Sequence, residues 1–134
     1  MCLSTLQNKP RIAKSRIAVW KVIDEYGYPP YMVEMKYEKG LNVAKGNKDV
    51  TEKLYSGVPF SFYLICGGFL HAYTKKCIAT DALQCYFFPP MTNSSPVQCG
   101  QLRKFKVVKM YIPVGTEYYK GFHGEICASQ FEWE

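Results

Sequence analysis

The chain has 134 residues, 48% of them apolar and 16% aromatic, and carries a formal net charge of +6. That is the size of one domain, long enough for a core without metal or disulfide staples and too apolar to stay disordered. No apolar run reaches the length of a signal peptide's core or a membrane span, so a cytoplasmic protein (in a host-cell cytosol) with no membrane partner is expected.

Positions 1–15 read as an irregular basic N-terminal arm. Lys9, Arg11, Lys14, Arg16 and Lys21 fall within the first 23 residues, with no acid among them. Arg16 to Ile23 is β-branched and apolar on both parities, the pattern of a strand buried on both faces. Tyr26 to Pro30 (YGYPP) predicts a turn. Tyr31 to Glu38 alternates, with Tyr31, Val33, Met35 and Tyr37 on one side, and predicts a half-exposed strand. Glu38 to Val50 is polar and Gly-punctuated and reads as loop, with one helical turn near Asp49 to Leu54.

Phe60 to Cys66 predicts a strand, Gly67-Gly68 a break, and Phe69 to Tyr73 a short extended run. Thr74 is placed to cap a helix reaching Tyr86, in which Ile78, Ala82 and Tyr86 share one face. Pro89-Pro90 would stop it, and positions 92–100 have the composition of a surface loop. Lys104 to Pro113 is a further strand, and Gly115 supplies a turn before Glu117 to Tyr119. Glu125 to Trp133 reads as a last strand. The expected fold is one α+β domain over 1–134, a small mixed or antiparallel sheet with one main packed helix.

Six cysteines (Cys2, Cys66, Cys77, Cys85, Cys99 and Cys127) form no CxxC pair, and with no export signal they are expected to be reduced thiols. Cys66 and Cys127 fall in strand-like runs, Cys77 and Cys85 in the helix. The two histidines, His71 and His123, have no close ligand pair, so neither a metal nor a cofactor is expected. Gly67-Gly68 follows a strand, but GxGxxG and GxxxxGK[ST] are both absent. His71 or His123 with Cys66, Cys77 or Cys127 would be the thiol–imidazole pairing of a nucleophile. Six cysteines offer such pairings by chance, and the aromatic run around His71 suits a satisfied core or rim histidine. Gln130-Phe131-Glu132 has the form Q-x-E, and strand alternation would put Gln130 and Glu132 on one face. A glutamate there would bind ribose hydroxyls or stabilise an oxocarbenium-like centre. A second basic run (Arg103, Lys104, Lys106, Lys109) suits a solvated face or a phosphate-bearing partner. No nucleic-acid-binding signature accompanies it, and nucleic acid is not expected as a partner.

Two stretches carry a resemblance. GGFLHAYT at 67–74 with Asp81-Ala82, and KMYIPVGTEYYKG at 109–121 with Ala128-Ser129, resemble the GFHAF…DA and IPKGTxYYxG…AS patterns of small uncharacterised phage and prophage proteins. The opening Met-Cys-Leu, the basic arm and Trp20-Lys21-Val22 are also similar to that group. The resemblance brings no activity with it. A more distant similarity is to ADP-ribosyltransferase-like domains, which place a GF-x-T/S strand before a helix and a Q/E-x-E strand near the end. It implies that Phe69 to Thr74 line a nicotinamide pocket and that Gln130 and Glu132 match the Q-x-E. Trp20-Lys21 stands where that family has an Arg or His for the dinucleotide, and Leu70 interrupts the GFH pattern. These departures imply a pocket that keeps its shape without transferase chemistry.

The resulting expectation is a non-enzymatic phage-type protein that sequesters a nucleotide-derived small molecule, such as a host immune signal. A symmetric homo-oligomer would suit that role. Trp20, Lys21, Phe69, His71, Tyr73, Thr74, Tyr118, Tyr119 and Gln130 are its expected ligand-binding residues. The alternatives are an inhibitor docking directly on a host defence protein, and a transferase using Glu132 with Gln130 and His71.

Overall fold

The structure, a computed structural model, describes residues 3–30, 35–57, 59–84 and 104–134. Its longest elements are the two most β-branched runs, β3 (Ile17–Asp24) and β8 (Phe105–Ile112), which pair antiparallel over eight positions from Ile17↔Ile112 to Asp24↔Phe105. Around them lie β1 (Leu3–Thr5), β2 (Arg11–Ile12), β4 (Gly40–Val43), β5 (Val50–Lys53), β6 (Phe62–Ile65) and β7 (Leu70–Tyr73), then the helix α1 (Lys76–Leu83). The chain ends in β9 (Glu117–Lys120), β10 (Glu125–Ala128) and β11 (Gln130–Trp133). The fold is a small α+β one, mostly β-sheet with one helix among the described residues, and every described pairing is antiparallel.

Eight strands run in the order β2-β9-β10-β7-β3-β8-β11-β4, and β1-β6-β5 form a separate sheet. The long sheet has a weak seam: β7 and β3 are paired only at Trp20↔Tyr73. It also curls, because β10 and β11 sit far apart in the strand order yet are joined by the single residue Ser129. Ser129 donates its N–H to Glu117 O (3.1 Å) and accepts from Ala44 N–H (2.9 Å), so one residue serves both halves. The concave face holds the main core, with Leu70, Ala72, Ile126 and Ala128 from one half meeting Val19, Ile23, Met110, Ile112 and Phe131 from the other. On the convex face α1 packs through Ala79 against Val22, beside Trp20 and Tyr73. Next to it the small sheet lays Leu3 and Ile65 on Phe69, Tyr119 and Cys127.

Several expectations change here. The arm is not irregular: β1 and β2 lie within it, and Leu3, Thr5 and Ala13 are buried. The predicted loop and helical turn at 38–54 hold β4 and β5. Asn42 makes β4 possible: its Oδ1 accepts from Glu38 N–H (3.0 Å) and its Nδ2 donates to Glu38 O (2.9 Å), closing the turn into the strand. β5 is an exposed edge strand, so its polar composition reads as loop. Of the predicted strand 31–38, positions 31–34 lie outside the described residues and 35–38 are not in a strand. The helix begins at Lys76 with Lys75 as its cap residue and no side-chain cap. Thr74 instead donates its hydroxyl to Gly124 O (3.1 Å). The expected end of the helix at Tyr86 and the loop at 92–100 lie outside the described residues. Cys77 and Cys127 are free thiols, as expected, but Cys66 is disulfide-bonded. No described helix is long and apolar enough to cross a membrane.

Candidate ligand pocket

The residues singled out from sequence do not form one open site. Lys21 and His71 meet at the seam. The strands separate beyond Trp20↔Tyr73, and the Lys21 side chain points to the concave core, where its ammonium donates to His71 O and lies 5.2 Å from the Tyr37 ring centre. Burial pulls the Lys21 ammonium down from 10.5 to about 7 and pushes the Tyr37 phenol up. His71 projects to the convex side, directly across from Cys127. Its Nε2 is 3.2 Å from Cys66 O, while its buried Nδ1 has no partner among the described residues.

The cross-strand pair His71 and Cys127 is the closest approach to a thiol–imidazole nucleophile. Burial lowers the imidazole from 6.5 to about 4 and raises the Cys127 thiol to about 12. Both shifts disfavour proton transfer from thiol to imidazole. The pair stays neutral, as two members of a packed core. Gln130 and Glu132 do share a face of β11, but β11 lies three positions from β7 in the strand order, on the other half of the sheet. Glu132 is opposite Tyr111, and His71 is opposite Cys127, so the expected trio never comes together. No group of three or more His, Cys, Asp or Glu among the described residues is placed to hold a metal.

The remaining expected residues act as support. Phe69 and Tyr119 are buried, with ring centres 5.5 Å apart and edge to face. Tyr118 packs on the main core, and Trp20 and Tyr73 pack beside α1. Thr74 holds Gly124. Phe69, Tyr119 and Thr74 thus lie under or beside the turn 121–124, and that turn borders an open cleft of about 470 Å³.

This cleft lies between the outer face of the small sheet and the turn. Strand alternation brings Lys53 opposite Phe62 and Ser4 opposite Leu64 on the outer face, away from the buried Leu3 and Ile65. Tyr55, Tyr63, Phe122, His123 and Glu125 complete the lining. Phe62 is the hub: its ring centre is 5.8 Å from Tyr55, 5.1 Å from Phe60 and 5.7 Å from Phe122, all edge to face. Tyr55 keeps 59% of its surface open to solvent. The turn is clamped at both ends. A Cβ on Gly121 would come within 2.7 Å of Leu3, and one on Gly124 would run into Ile78. Between them His123 takes a left-handed φ of 49°, a conformation that non-glycine residues adopt at a cost of about 1–3 kcal/mol and that gathers at ligand clamps. Burial raises the Glu125 carboxyl, an effect that the nearby His123 opposes.

Aromatic faces, one ammonium, one imidazole and one carboxylate around such a volume can stack a planar ring and hydrogen-bond its polar substituents. Sequence reasoning missed Lys53, Tyr55, Phe62, Phe122, His123 and Glu125 as a set. Their signal is compositional, the aromatic density of the stretch from Tyr55 to Tyr63, and no motif links it to 122–125. No family model, curated protein or solved structure matches the chain.

Proposed function

We propose that the protein is a non-enzymatic, phage-type binding protein that sequesters a nucleotide-derived small molecule, and that the cleft between the small sheet and the turn 121–124 is where it binds. The observation that carries this reading is the aromatic lining of the 470 Å³ cleft with a few polar groups at its edge, a size and make-up suited to a nucleobase and its sugar. The separation of His71 from Glu132 and the neutral state of His71 and Cys127 favour binding over transferase or nucleophilic chemistry. The distant likeness to ADP-ribosyltransferase-like domains belongs to the same proposal, as the origin of a scaffold. A host-cell cytosol is the compartment in which such a signal would be met, and the disulfide at Cys66 is the feature that runs against it.

Melting curves across a panel of nucleosides and nucleotides test the reading. A bound ligand at one hundred times its Kd stabilises the folded state by about 2.7 kcal/mol, which is a shift of several degrees for a domain of this size. Tyr55→Ala, at an exposed position, is expected to abolish the shift without lowering the melting temperature of the free protein. A flat panel removes the proposal. The second reading, an inhibitor that docks on a host protein, is favoured by the apolar exposure of Leu54 (75%), Tyr55 (59%) and Phe60 (47%) beside the same cleft. A stoichiometric host protein lost with Tyr55→Ala, together with a flat panel, would put it first.

A further inference from the structure

The charged groups of the cleft go further than its shape, and this step rests on the reading just given. Lys53, His123 and Glu125 are the basic and acidic side chains at its wall. Lys53 and Glu125 bring one charge of each sign to the wall. A phosphate monoester carries roughly −1.5 to −2 charges near neutral pH, and each added phosphate brings about one more. A single exposed Lys53 can answer the first phosphate. The described wall carries no second ammonium or guanidinium for a further phosphate, and Glu125 repels one.

Glu125 depends on the cleft for its donors. It opens β10 opposite Tyr73, half-buried, and its carboxylate has no hydrogen-bond or salt-bridge partner among the described residues. Its main-chain carbonyl accepts from Gly121 N–H at 2.8 Å, which ties the two sides of the turn together and holds the Glu125 backbone at the cleft wall. A half-buried carboxylate without protein donors takes them from a ligand that displaces its solvent. The vicinal hydroxyls of a ribose are the donors that a nucleotide offers to a carboxylate, as acidic residues of dinucleotide sites show.

We infer that the cleft selects a ribonucleoside or ribonucleoside monophosphate, with Glu125 reading the ribose hydroxyls, the base against Tyr55 and Phe62, and nucleoside polyphosphates excluded. Titration calorimetry on the whole chain tests this with adenosine, guanosine, cytidine and uridine, then with the 2′-deoxy form and the 5′-mono- and triphosphates of the tightest of them. The nucleoside and its monophosphate are expected to bind within a few-fold of each other, and loss of the 2′-hydroxyl to weaken binding about tenfold, as for a hydrogen bond to a charged acceptor. The triphosphate is expected to bind at least about tenfold more weakly, from repulsion by one carboxylate. Glu125→Gln, equal in size and at a half-exposed position, should erase the 2′-hydroxyl preference and narrow the penalty on the triphosphate. A triphosphate that binds as tightly as the nucleoside, or a 2′-deoxy form that binds as well as the ribo form, overturns the inference and leaves the pocket reading standing. No heat with any of the four nucleosides, and no melting shift with them, overturns both.

Discussion

Replacing Lys21 by Met is expected to stabilise the protein at neutral pH, and the structure sets the size of the effect. Lys21 is 8% exposed, and its ammonium meets one carbonyl, that of His71, and the Tyr37 ring. Burial brings its pKa from 10.5 to about 7. In the unfolded chain the amine stays protonated up to about 10.5, so between about pH 7 and 10.5 the unfolded state holds the extra proton and stability rises with pH. At about 1.4 kcal/mol per pH unit that window bounds the penalty near 5 kcal/mol, present in full below pH 7 and gone above 10.5. Methionine keeps most of the stem's volume but removes the donor to His71 O, at a cost of about 1–3 kcal/mol. A net gain of about 2–4 kcal/mol is expected at pH 7, shrinking to nothing or a small loss by pH 10. Urea unfolding of both proteins at pH 6, 7, 8.5 and 10 reads this directly. Burial raises Tyr37 and Cys127 in both proteins, so most of their contribution cancels in the difference. A variant less stable than wild type at pH 7, or a difference that holds constant to pH 10, would refute the reasoning.

Other outcomes follow from the same structure. His71 is lowered from 6.5 to about 4, so as pH falls through that window the unfolded chain takes up the proton first, and stability should drop by roughly 3 kcal/mol. Denaturant midpoints between pH 7 and 4 should show this decline, and His71→Gln should flatten it. Gly124→Ala places a methyl into Ile78 at a φ of +75° and is expected to cost about 2–3 kcal/mol, read as a lower melting temperature. Timed alkylation should label the exposed Cys77 in the native protein and reach the buried Cys127 only in denaturant. Equal labelling rates for the two would contradict the placement of β10.

How much of this was readable in the chain depends on where each residue's partners lie. β3 and β8 were legible because runs such as IAVWKVI and FKVVKMYI are rich in β-branched and aromatic residues, a signal that needs no knowledge of the neighbours. The break at Ser129 was not, because alternation continues through it and only its bonds to Glu117 and Ala44 divide β10 from β11. β4 was hidden because it depends on one side chain, Asn42, closing a turn four residues long. The site was the least legible part. Phe69, His71, Tyr73 and Thr74 stood out as a motif, yet a compact aromatic motif in a strand is as readily a layer of core, and here Phe69 is 7% exposed. The cleft residues come from β1, β5, β6 and the turn before β10, far apart in sequence, and only the small sheet's packing on Tyr119 and Cys127 assembles them.

The central claim is that the cleft beside Phe62 takes a nucleoside, and backbone amide shifts on titration with ribonucleosides test it residue by residue. Saturable changes clustered at Lys53, Tyr55, Phe62 to Leu64 and Phe122 to Glu125, with Trp20 and Gln130 unmoved, are what the account expects. Shifts centred on Trp20, Lys109 and Tyr111, or no saturable shift with any ribonucleoside, would contradict it.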